Sequence, residues 1–541
     1  MGEGGSNGII SLLIPSFSHH NSWLMHPPTL RPSQSISTPL RSVRRQLLRL
    51  GGLSAFIYLM FVVIFPLVPY IHQDGRMLDI EMILRNGMRW LIWVYIAGVG
   101  LLFLAFWRIV RVTHEFSTQH PEEAAQVRHL ILGVGVVCGL ILLALYPITA
   151  LDVAAYVVNA RNWVLYDANP LTVAPDVFPE DPYVQRAGEF ADETSPYGPL
   201  WEGIARLPVQ LGITDMAGGI MAMKLISLAA YAGTAFLIGW AAGQESNRFG
   251  VTQATAMAFF AINPLVLLEV IGNGHNDITM MFFMVLGITA WQRGAWPWAA
   301  FAFTLAALIK LPGLIILPLF ALNVMMQAGT WRKRIQLGFA VSGIFLGTFL
   351  LAYRLMGPFP DVAQGALQSF DRRGFSPPYA LYVIARETAP AISRYFLSQS
   401  RNVYLLLYLL IAAAMLRRKV TFLEAGFLAY FAIIFLSNAF RIWYPLWLVP
   451  FAALNLNSRS YWRTFLFGLT AELSILSYYV LWRWGLRHWE WGEVTGPLAP
   501  YWDYFKIMTP FTVSWTFTIP FLGDLIGRLR DSTRFKNSLW V

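Results

Sequence analysis

Residues 129–156 read HLILGVGVVCGLILLALYPITALDVAAY, an apolar run that ends just before an aspartate. The part from 129 to 149 is long enough to cross a bilayer, because a transmembrane helix needs about 17–25 apolar residues. Asp152 follows this run and opens a more polar stretch that continues to residue 215. Apolar segments alternate with polar ones along the rest of the chain, and this alternation predicts a membrane protein.

The composition of the 541 residues supports the same prediction. Hydrophobic residues make up 56% of the chain and charged residues 13%, whereas soluble domains have about 45–50% apolar and about 25% charged residues. Cys138 is the only cysteine, so an intramolecular disulfide is excluded. The high hydrophobic and low charged fractions exclude a soluble globular fold.

The predicted fold is an all-α polytopic membrane protein with about 13–14 transmembrane helices. The apolar segments lie at roughly 51–71, 88–107, 129–149, 217–241, 252–271, 277–291, 296–310, 312–327, 336–353, 402–416, 420–437, 443–456, 464–482 and 511–527. We expect a disordered cytoplasmic tail at 1–48, a transmembrane domain at 49–530 and a cytoplasmic tail at 531–541.

The distribution of basic residues predicts the orientation. The chain has 40 basic and 30 acidic residues, and cytoplasmic loops carry the basic excess in membrane proteins. With a cytoplasmic N-terminus, clusters such as Arg332–Arg334 and Arg417–Lys419 fall on one side. The segments 152–215, 356–401 and 486–510 then lie outside, and the first of these long loops is expected to carry interfacial helices. Because topology accounts for the charge, no nucleic-acid partner is expected.

The first long loop holds the densest set of polar candidates. Helical spacing places Asp152, Tyr156 and Asn159 on one face, with Arg161 close by. An N-cap role is the alternative for Asp152. The loop ends in Ser195-Pro-Tyr-Gly-Pro-Leu-Trp201, where Tyr197 and Trp201 are either substrate contacts or anchors of an aromatic belt.

A second group of candidates lies in Gly272-Asn-Gly-His-Asn-Asp277. His275, Asn276 and Asp277 together exceed what a capped turn requires, although a turn is the simpler interpretation. Glu269 precedes them within an apolar run, and an intramembrane carboxylate is costly. No cofactor is expected, but a divalent ion held by His275 and Asp277 stays open.

Cations and aromatic residues complete the set. Lys310 is either an anchor at the membrane edge or a phosphate ligand. Arg372 and Arg373 oppose the positive-inside trend, which favours phosphate binding, with a salt bridge to the acidic first loop as the alternative. The remaining candidates are Arg441, Trp443 and Tyr444.

The predicted topology brings these groups to the outer rim of the membrane. A transporter needs polar groups near the bilayer midplane, so this distribution favours an enzyme at the lipid–water boundary. Transfer of a sugar from a lipid phosphate needs a general base, cations for the phosphate and aromatic or amide groups for the sugar. A lipid or glycolipid flippase, using Glu269, Glu472 and Lys224 as a polar path, is the alternative function.

At these positions the chain resembles GT-C fold, polyprenyl-phosphate-sugar-dependent glycosyltransferases, in particular bacterial α-mannosyltransferases. The resemblance lies in Asp152-x-x-x-Tyr156, Ser195–Trp201, Asn273–Asp277, Ile309-Lys310 and Trp443–Trp447. It implies that Asp152 is the catalytic base of an inverting transfer. It also implies a polyprenyl-phosphate hexose donor, such as mannose, and a glycan or glycolipid acceptor at the extracytoplasmic side of the cell membrane.

Overall fold

The computed structural model describes residues 38–71, 77, 90–242, 251–365, 372–477 and 499–531. The chain divides into two compact units, Met1–Ser42 and Val43–Val541. In the first unit, residues 38–42 are described and belong to the opening turns of a helix. The second unit contains the site described below.

All regular elements in the described ranges are helices, and the chain is an all-α polytopic membrane protein. Six helices are long and apolar enough to cross a membrane: Thr38–Ile64, Leu91–Gln119, Ala124–Leu142, Met216–Ala241, Trp331–Met356 and Pro390–Leu416. Shorter apolar helices are Asp277–Gln292, Trp296–Ile309, Leu311–Met326, Phe422–Leu436 and Tyr444–Leu454. Two further long helices are Ser458–Leu476 and Ala499–Asp531. The count of 13–14 spans stays a prediction.

The predicted span at 252–271 is a broken pair of helices. Gln253–Ala261 and Val266–Gly272 are bent by 53° relative to each other. The break contains Pro264, which cannot donate a helical hydrogen bond. Beside it, the side chain of Asn263 accepts a hydrogen bond from the backbone of Leu265 at 3.1 Å. Counted as one crossing, this pair raises the number of candidate spans to seven.

Several helices extend beyond the predicted apolar segments. The first begins at Thr38, within the segment 1–48 that was predicted to be a tail. Arginine is a good helix former, and the arginines that precede the apolar run continue the helix. The helix Ala499–Asp531 likewise begins inside the predicted loop 486–510. Residues 1–37, 478–498 and 532–541 lie outside the described residues.

The first long segment between membrane-length helices is itself largely helical. It contains the helices Asp152–Tyr166, Pro199–Ala205 and Leu207–Gln210 and the 3-10 turns Pro175–Val177 and Val184–Phe190. A buried ion pair of 2.8 Å between Arg161 and Asp181 ties the first of these helices to the turns.

Gly198 brings this segment against the end of the helix Trp296–Ile309. Its backbone N–H donates to the carbonyl of Ile309 at 3.0 Å. A Cβ atom at position 198 would overlap the carbonyl oxygen of Leu308, which is backbone and cannot turn away. The contact therefore requires glycine, and it places Tyr197 beside Lys310.

We expect Gly198→Ala to destabilise the protein by about 1–3 kcal/mol, the usual cost of overpacking. Gly203→Ala is the matched control, because a Cβ there meets no atom within 4 Å and alanine favours the helix. Thermal unfolding of the purified variants in detergent measures the difference. A Gly198→Ala variant as stable as Gly203→Ala would contradict the role given to this contact.

Candidate active site

A cavity of about 550 Å³ lies where the first long segment meets the ends of several helices. Its lining brings together side chains that are far apart in sequence. The predicted site residues among them are Asp152, Tyr197, Lys310, Arg372, Arg441, Trp443 and Tyr444. The lining also includes Thr149, Phe190, Phe375, Ser437 and Trp447, which were not predicted as site residues.

Asp152 lines this cavity. It is the first residue of the helix Asp152–Tyr166, whose N-cap is Leu151, and no side chain caps the helix. The alternative N-cap role for Asp152 therefore does not apply. The residue is 8% exposed, and its Oδ1 accepts a hydrogen bond of 3.1 Å from the hydroxyl of Tyr197.

Tyr197 is the hydrogen-bond donor, and Asp152 is the acceptor. Burial raises the pKa of Tyr197 well above its ordinary value, and the charges of Tyr156 and Asp152 raise this pKa further. The hydroxyl thus keeps its proton at neutral pH. Tyr156 packs edge-on against Tyr197 with ring centres 5.0 Å apart, and Trp201 packs on Tyr156 at the same distance.

Tyr156 and Trp201 were predicted to contact substrate, but they form a buried layer behind Tyr197. Trp201 is fully buried and does not line the cavity. Two further candidates, Asn159 and Arg161, are buried away from the cavity on the same helix. The Arg161 guanidinium pairs with Asp181 and lies 4.7 Å from the centre of the Tyr183 ring. These four residues lie outside the cavity lining and position the helix that begins with Asp152.

Lys310 reaches the cavity from the end of the helix Trp296–Ile309. Its Nζ lies 2.8 Å from Asp277 Oδ2 and 5.5 Å from the centre of the Tyr197 ring. The other carboxylate oxygen of Asp277 accepts a hydrogen bond of 2.6 Å from Trp447 Nε1. Asp277 is fully buried. It therefore positions Lys310 and Trp447 from outside the cavity lining.

His275 also lies behind the cavity wall. Its Nε2 is 3.3 Å from Glu269 Oε2, and its ring stacks on Trp443 with centres 3.9 Å apart. Glu269 Oε1 accepts hydrogen bonds of 2.9 Å from Thr149 and from Asn273. The neighbouring Asn276 is fully buried and outside the cavity lining. His275 and Asn276 thus lie outside the lining, and His275 supports the wall through Trp443.

His275 and Asp277 do not share a ligand position, because one faces Glu269 and the other faces Lys310. In the described part of the chain no three His, Cys, Asp or Glu side chains are grouped to hold a metal ion. The divalent ion left open by the sequence gains no support from this arrangement.

The neighbouring arginines differ in their surroundings. Arg372 lines the cavity, forms an ion pair with Glu193 and lies 4.7 Å from the centre of the Phe190 ring. The alternative salt bridge to the acidic loop is therefore present, and it holds Arg372 at the cavity. Arg373 is exposed and lies 6.0 Å from the ring of Tyr382, outside the lining.

A known protein family matches residues 51–326, half of the chain, and is described as alpha-(1->6)-mannopyranosyltransferase, N-terminal domain. The chain belongs to this family. The match includes Asp152, Tyr197, Asp277 and Lys310. The GT-C fold expected from the sequence motifs fits the mannosyltransferase family.

Individual relatives carry the same description. An alpha-(1->6)-mannopyranosyltransferase A from Mycobacterium tuberculosis is 24% identical over 56% of this chain and 55% of its own length. An alpha-(1->6)-mannopyranosyltransferase B from Corynebacterium glutamicum is 26% identical over 31% of this chain and 30% of its own length. The chain thus spans about half or less of the relatives that it matches.

Glu202 lies within the part of the chain that matches the family, and it was not predicted as a site residue from the sequence. It is buried in the short helix Pro199–Ala205, and its Oε1 accepts a hydrogen bond of 2.5 Å from Ser195. The Ser195 hydroxyl accepts in turn from the backbone N–H of Tyr197 at 3.3 Å. Its sequence signal was an acid between apolar neighbours, as at Glu269. Glu202 therefore helps to fix the residue that holds Asp152.

Burial raises the pKa of Glu202 from 4.5 to about 7. The folded state then binds a proton that the unfolded state releases between these values, so this group's stabilising contribution is lost as pH rises from about 4.5 to about 7. We expect Glu202→Gln to remove this pH dependence. It amounts to a change of roughly 3 kcal/mol in the free energy of unfolding between pH 4.5 and about 7. Thermal unfolding across this pH range measures it. Parallel curves for the variant and the wild type would contradict the assignment.

Proposed function

We propose that this chain is a membrane enzyme that transfers mannose from a polyprenyl-phosphate donor to an extracytoplasmic glycan or glycolipid. The observation that carries the proposal is the 550 Å³ cavity, which has a carboxylate, three cationic side chains and several aromatic rings in its lining. The relatives are named mannopyranosyltransferases, which supports mannose as the sugar.

Asp152 acts as the general base in the proposed reaction. Its carboxylate takes the proton of the acceptor hydroxyl while the oxygen of that hydroxyl attacks the anomeric carbon of the donor. The Tyr197 hydroxyl donates to Oδ1 at 3.1 Å and fixes the direction of the carboxylate. A positioned base contributes about 10²–10⁴-fold to such a step.

The leaving group is a polyprenyl phosphate. The bond between the anomeric carbon and the phosphate oxygen breaks, and the phosphate keeps the electron pair, so it needs no proton. Lys310, Arg372 and Arg441 in the lining provide the positive charge that stabilises this anion. Because Lys310 uses one donor for Asp277, its ammonium has further N–H groups for the phosphate.

Aromatic residues on the wall orient the sugar. The rings of Tyr444 and Trp447 stack with centres 4.5 Å apart, and Trp443 stacks on His275 behind it. Trp443, Tyr444 and Trp447 all line the cavity. A direct displacement on a sugar held in this way inverts the configuration at the anomeric carbon.

The proposed orientation follows from the basic clusters in the sequence. Both termini lie in the cytoplasm, and the cavity opens on the extracytoplasmic side, where a lipid-linked donor can enter from the membrane. The acceptor glycan reaches the same cavity from the aqueous side. Membrane lipids, the lipid-linked donor and the acceptor are thus the partners of the protein.

The alternative of a flippase receives less support from the buried charges. Lys224 Nζ donates to the carbonyl oxygens of Leu142 and Leu145 and so satisfies the end of the helix Ala124–Leu142. Glu269 is occupied by Thr149, Asn273 and His275. Two of the three groups expected to form a polar path therefore hold helices together.

We expect Asp152→Asn to lower the rate of mannose transfer by about 10²–10⁴-fold, because the amide cannot accept the acceptor proton. Asp176→Asn is the matched control, since Asp176 is an exposed acid of the same segment outside the cavity. Transfer from radiolabelled polyprenyl-phosphate mannose to an alkyl α-mannoside measures both variants. Near wild-type turnover by a folded Asp152→Asn variant would reject Asp152 as the base.

The paired arginines offer a second test of the donor site. We expect Arg372→Gln to raise the KM for the polyprenyl-phosphate donor by about ten- to a hundredfold, the usual value of a charge-assisted hydrogen bond. Arg373→Gln should change this KM less than about twofold, because a surface charge outside the cavity contributes little. Equal effects of the two variants would argue against a phosphate site at Arg372.

A further inference from the structure

A short irregular stretch of chain precedes Asp152. Residues 143–151 connect the helix Ala124–Leu142 to the helix Asp152–Tyr166. From residue 146 to residue 151 this connecting segment is not helical, so its backbone N–H groups are not paired within the segment as they would be in a helix. Buried backbone groups need partners, and the partners that other parts of the fold supply determine where Asp152 lies.

The first half of the connecting segment is fixed by backbone contacts. The N–H of Leu67 donates to the carbonyl of Ala144 at 2.9 Å, and the N–H of Tyr146 donates to the carbonyl of Phe65 at 2.8 Å. These contacts hold the chain up to Tyr146. Residues 147–151, which lead directly to the helix that carries the base, depend on other partners.

Asn273 supplies such a partner with its side-chain amide. Its Oδ1 accepts hydrogen bonds from the backbone N–H groups of Ile148 at 2.9 Å and of Thr149 at 3.3 Å. Its Nδ2 donates to the hydroxyl of Thr149 and, at 2.9 Å, to Oε1 of Glu269. An amide side chain has two N–H donors and two acceptor positions, and all four are used here. Asn273 is 2% exposed, so water does not compete for these bonds.

The residue after Asn273 contacts the chain on the other side of Asp152. Gly274 has a φ of 78°, a left-handed conformation that favours glycine. A Cβ atom at this position would lie 2.9 Å from a methyl group of Val153, which is fully buried. Asn273 and Gly274 thus contact the chain shortly before Asp152 and directly after it.

We propose that Asn273 is a positioning residue for the transfer reaction. This inference rests on the proposed function, in which Asp152 is the base. Asn273 lies outside the cavity lining and acts through the chain. It holds Ile148 and Thr149, and these fix the start of the helix whose first residue is Asp152. Tyr197 fixes the direction of the carboxylate, and Asn273 fixes the backbone that carries it.

The first test compares the kinetics of two asparagine variants. We expect Asn273→Ala to lower kcat for transfer from polyprenyl-phosphate mannose to an alkyl α-mannoside by about ten- to a hundredfold, because a small misplacement of a catalytic group costs this much. The KM values of donor and acceptor should change less than about threefold, since the groups proposed to bind them stay in place.

Asn263→Ala is the matched control. Asn263 is also 2% exposed and lies in the same broken pair of helices, but its side chain accepts a hydrogen bond from the backbone N–H of Leu265. Its loss disturbs the helix break and leaves the bonds to Ile148 and Thr149 in place. We expect a kcat close to that of the wild type.

A double-mutant cycle separates positioning from general damage to the fold. If Asn273 acts through Asp152, Asn273→Ala should change the residual rate of the Asp152→Asn variant less than about threefold. A purely structural role would lower this residual rate by the same factor as it lowers the wild-type rate. Equal factors in the two backgrounds, a wild-type kcat in folded Asn273→Ala, or an equal loss in Asn263→Ala would overturn the proposal.

Asn273→Asp is the milder variant if alanine prevents folding. A carboxyl group of nearly the same size keeps an acceptor oxygen for Ile148 and Thr149 but has no N–H groups for Glu269. We expect kcat to fall by about three- to tenfold, the value of roughly one lost hydrogen bond, and this loss should be absent in the Asp152→Asn background. A wild-type kcat in this variant, or the same loss in both backgrounds, would reject the positioning role.

Amide hydrogen exchange separates this inference from the proposed function, because it requires no transfer. Mass spectrometry of peptides that cover residues 146–152 should show exchange at Ile148 and Thr149 about tenfold faster in Asn273→Ala than in the wild type, and unchanged exchange in Asn263→Ala. Wild-type protein that transfers no mannose would contradict the proposed function, whereas faster exchange in Asn273→Ala would still support the hold on the connecting segment. Equal exchange in Asn273→Ala and the wild type would reject the inference.

Discussion

The backbone hydrogen bond from Gly198 to Ile309 determines where the candidate site forms. This 3.0 Å contact joins the first long segment to the end of the helix that precedes Lys310. Tyr197 then lies between Asp152, which it contacts through its hydroxyl, and Lys310, whose ammonium approaches its ring. A base and a cation from distant parts of the chain are thus held at one cavity by a contact that tolerates only glycine.

The wall of the cavity is stabilised by charges that never reach its surface. Asp277 holds Lys310 and Trp447, and Glu269 holds Thr149, Asn273 and His275. A buried carboxylate is tolerated in apolar surroundings only when it is paired or hydrogen-bonded. Here the pairing gives the groups in the lining fixed positions before substrate arrives. Such fixed positions favour catalysis, because little reorganisation is needed during the reaction.

Sequence could predict the helical membrane fold and part of the site. Runs of apolar residues indicate helices well. Asp152, Lys310 and Arg441 border such runs, Arg372 opposes the positive-inside trend, and all four line the cavity. The position of Trp201 and Arg161 outside the cavity lining could not be predicted from the sequence. Helical spacing shows which residues share a face, but not whether that face meets a cavity or another helix. The break at Pro264 was not predicted, although a proline inside an apolar run is a sequence signal for a broken helix.

The most direct test of the account is transfer by the purified protein in detergent, with no membrane to cross. Radiolabelled polyprenyl-phosphate mannose is incubated with the protein and an α-mannoside acceptor, and the labelled product is separated and counted. A transferase that works at the Asp152 cavity produces an elongated, labelled glycan under these conditions. No product with mannose or any related lipid-linked hexose, from protein that remains folded, would contradict the account and favour a transporter.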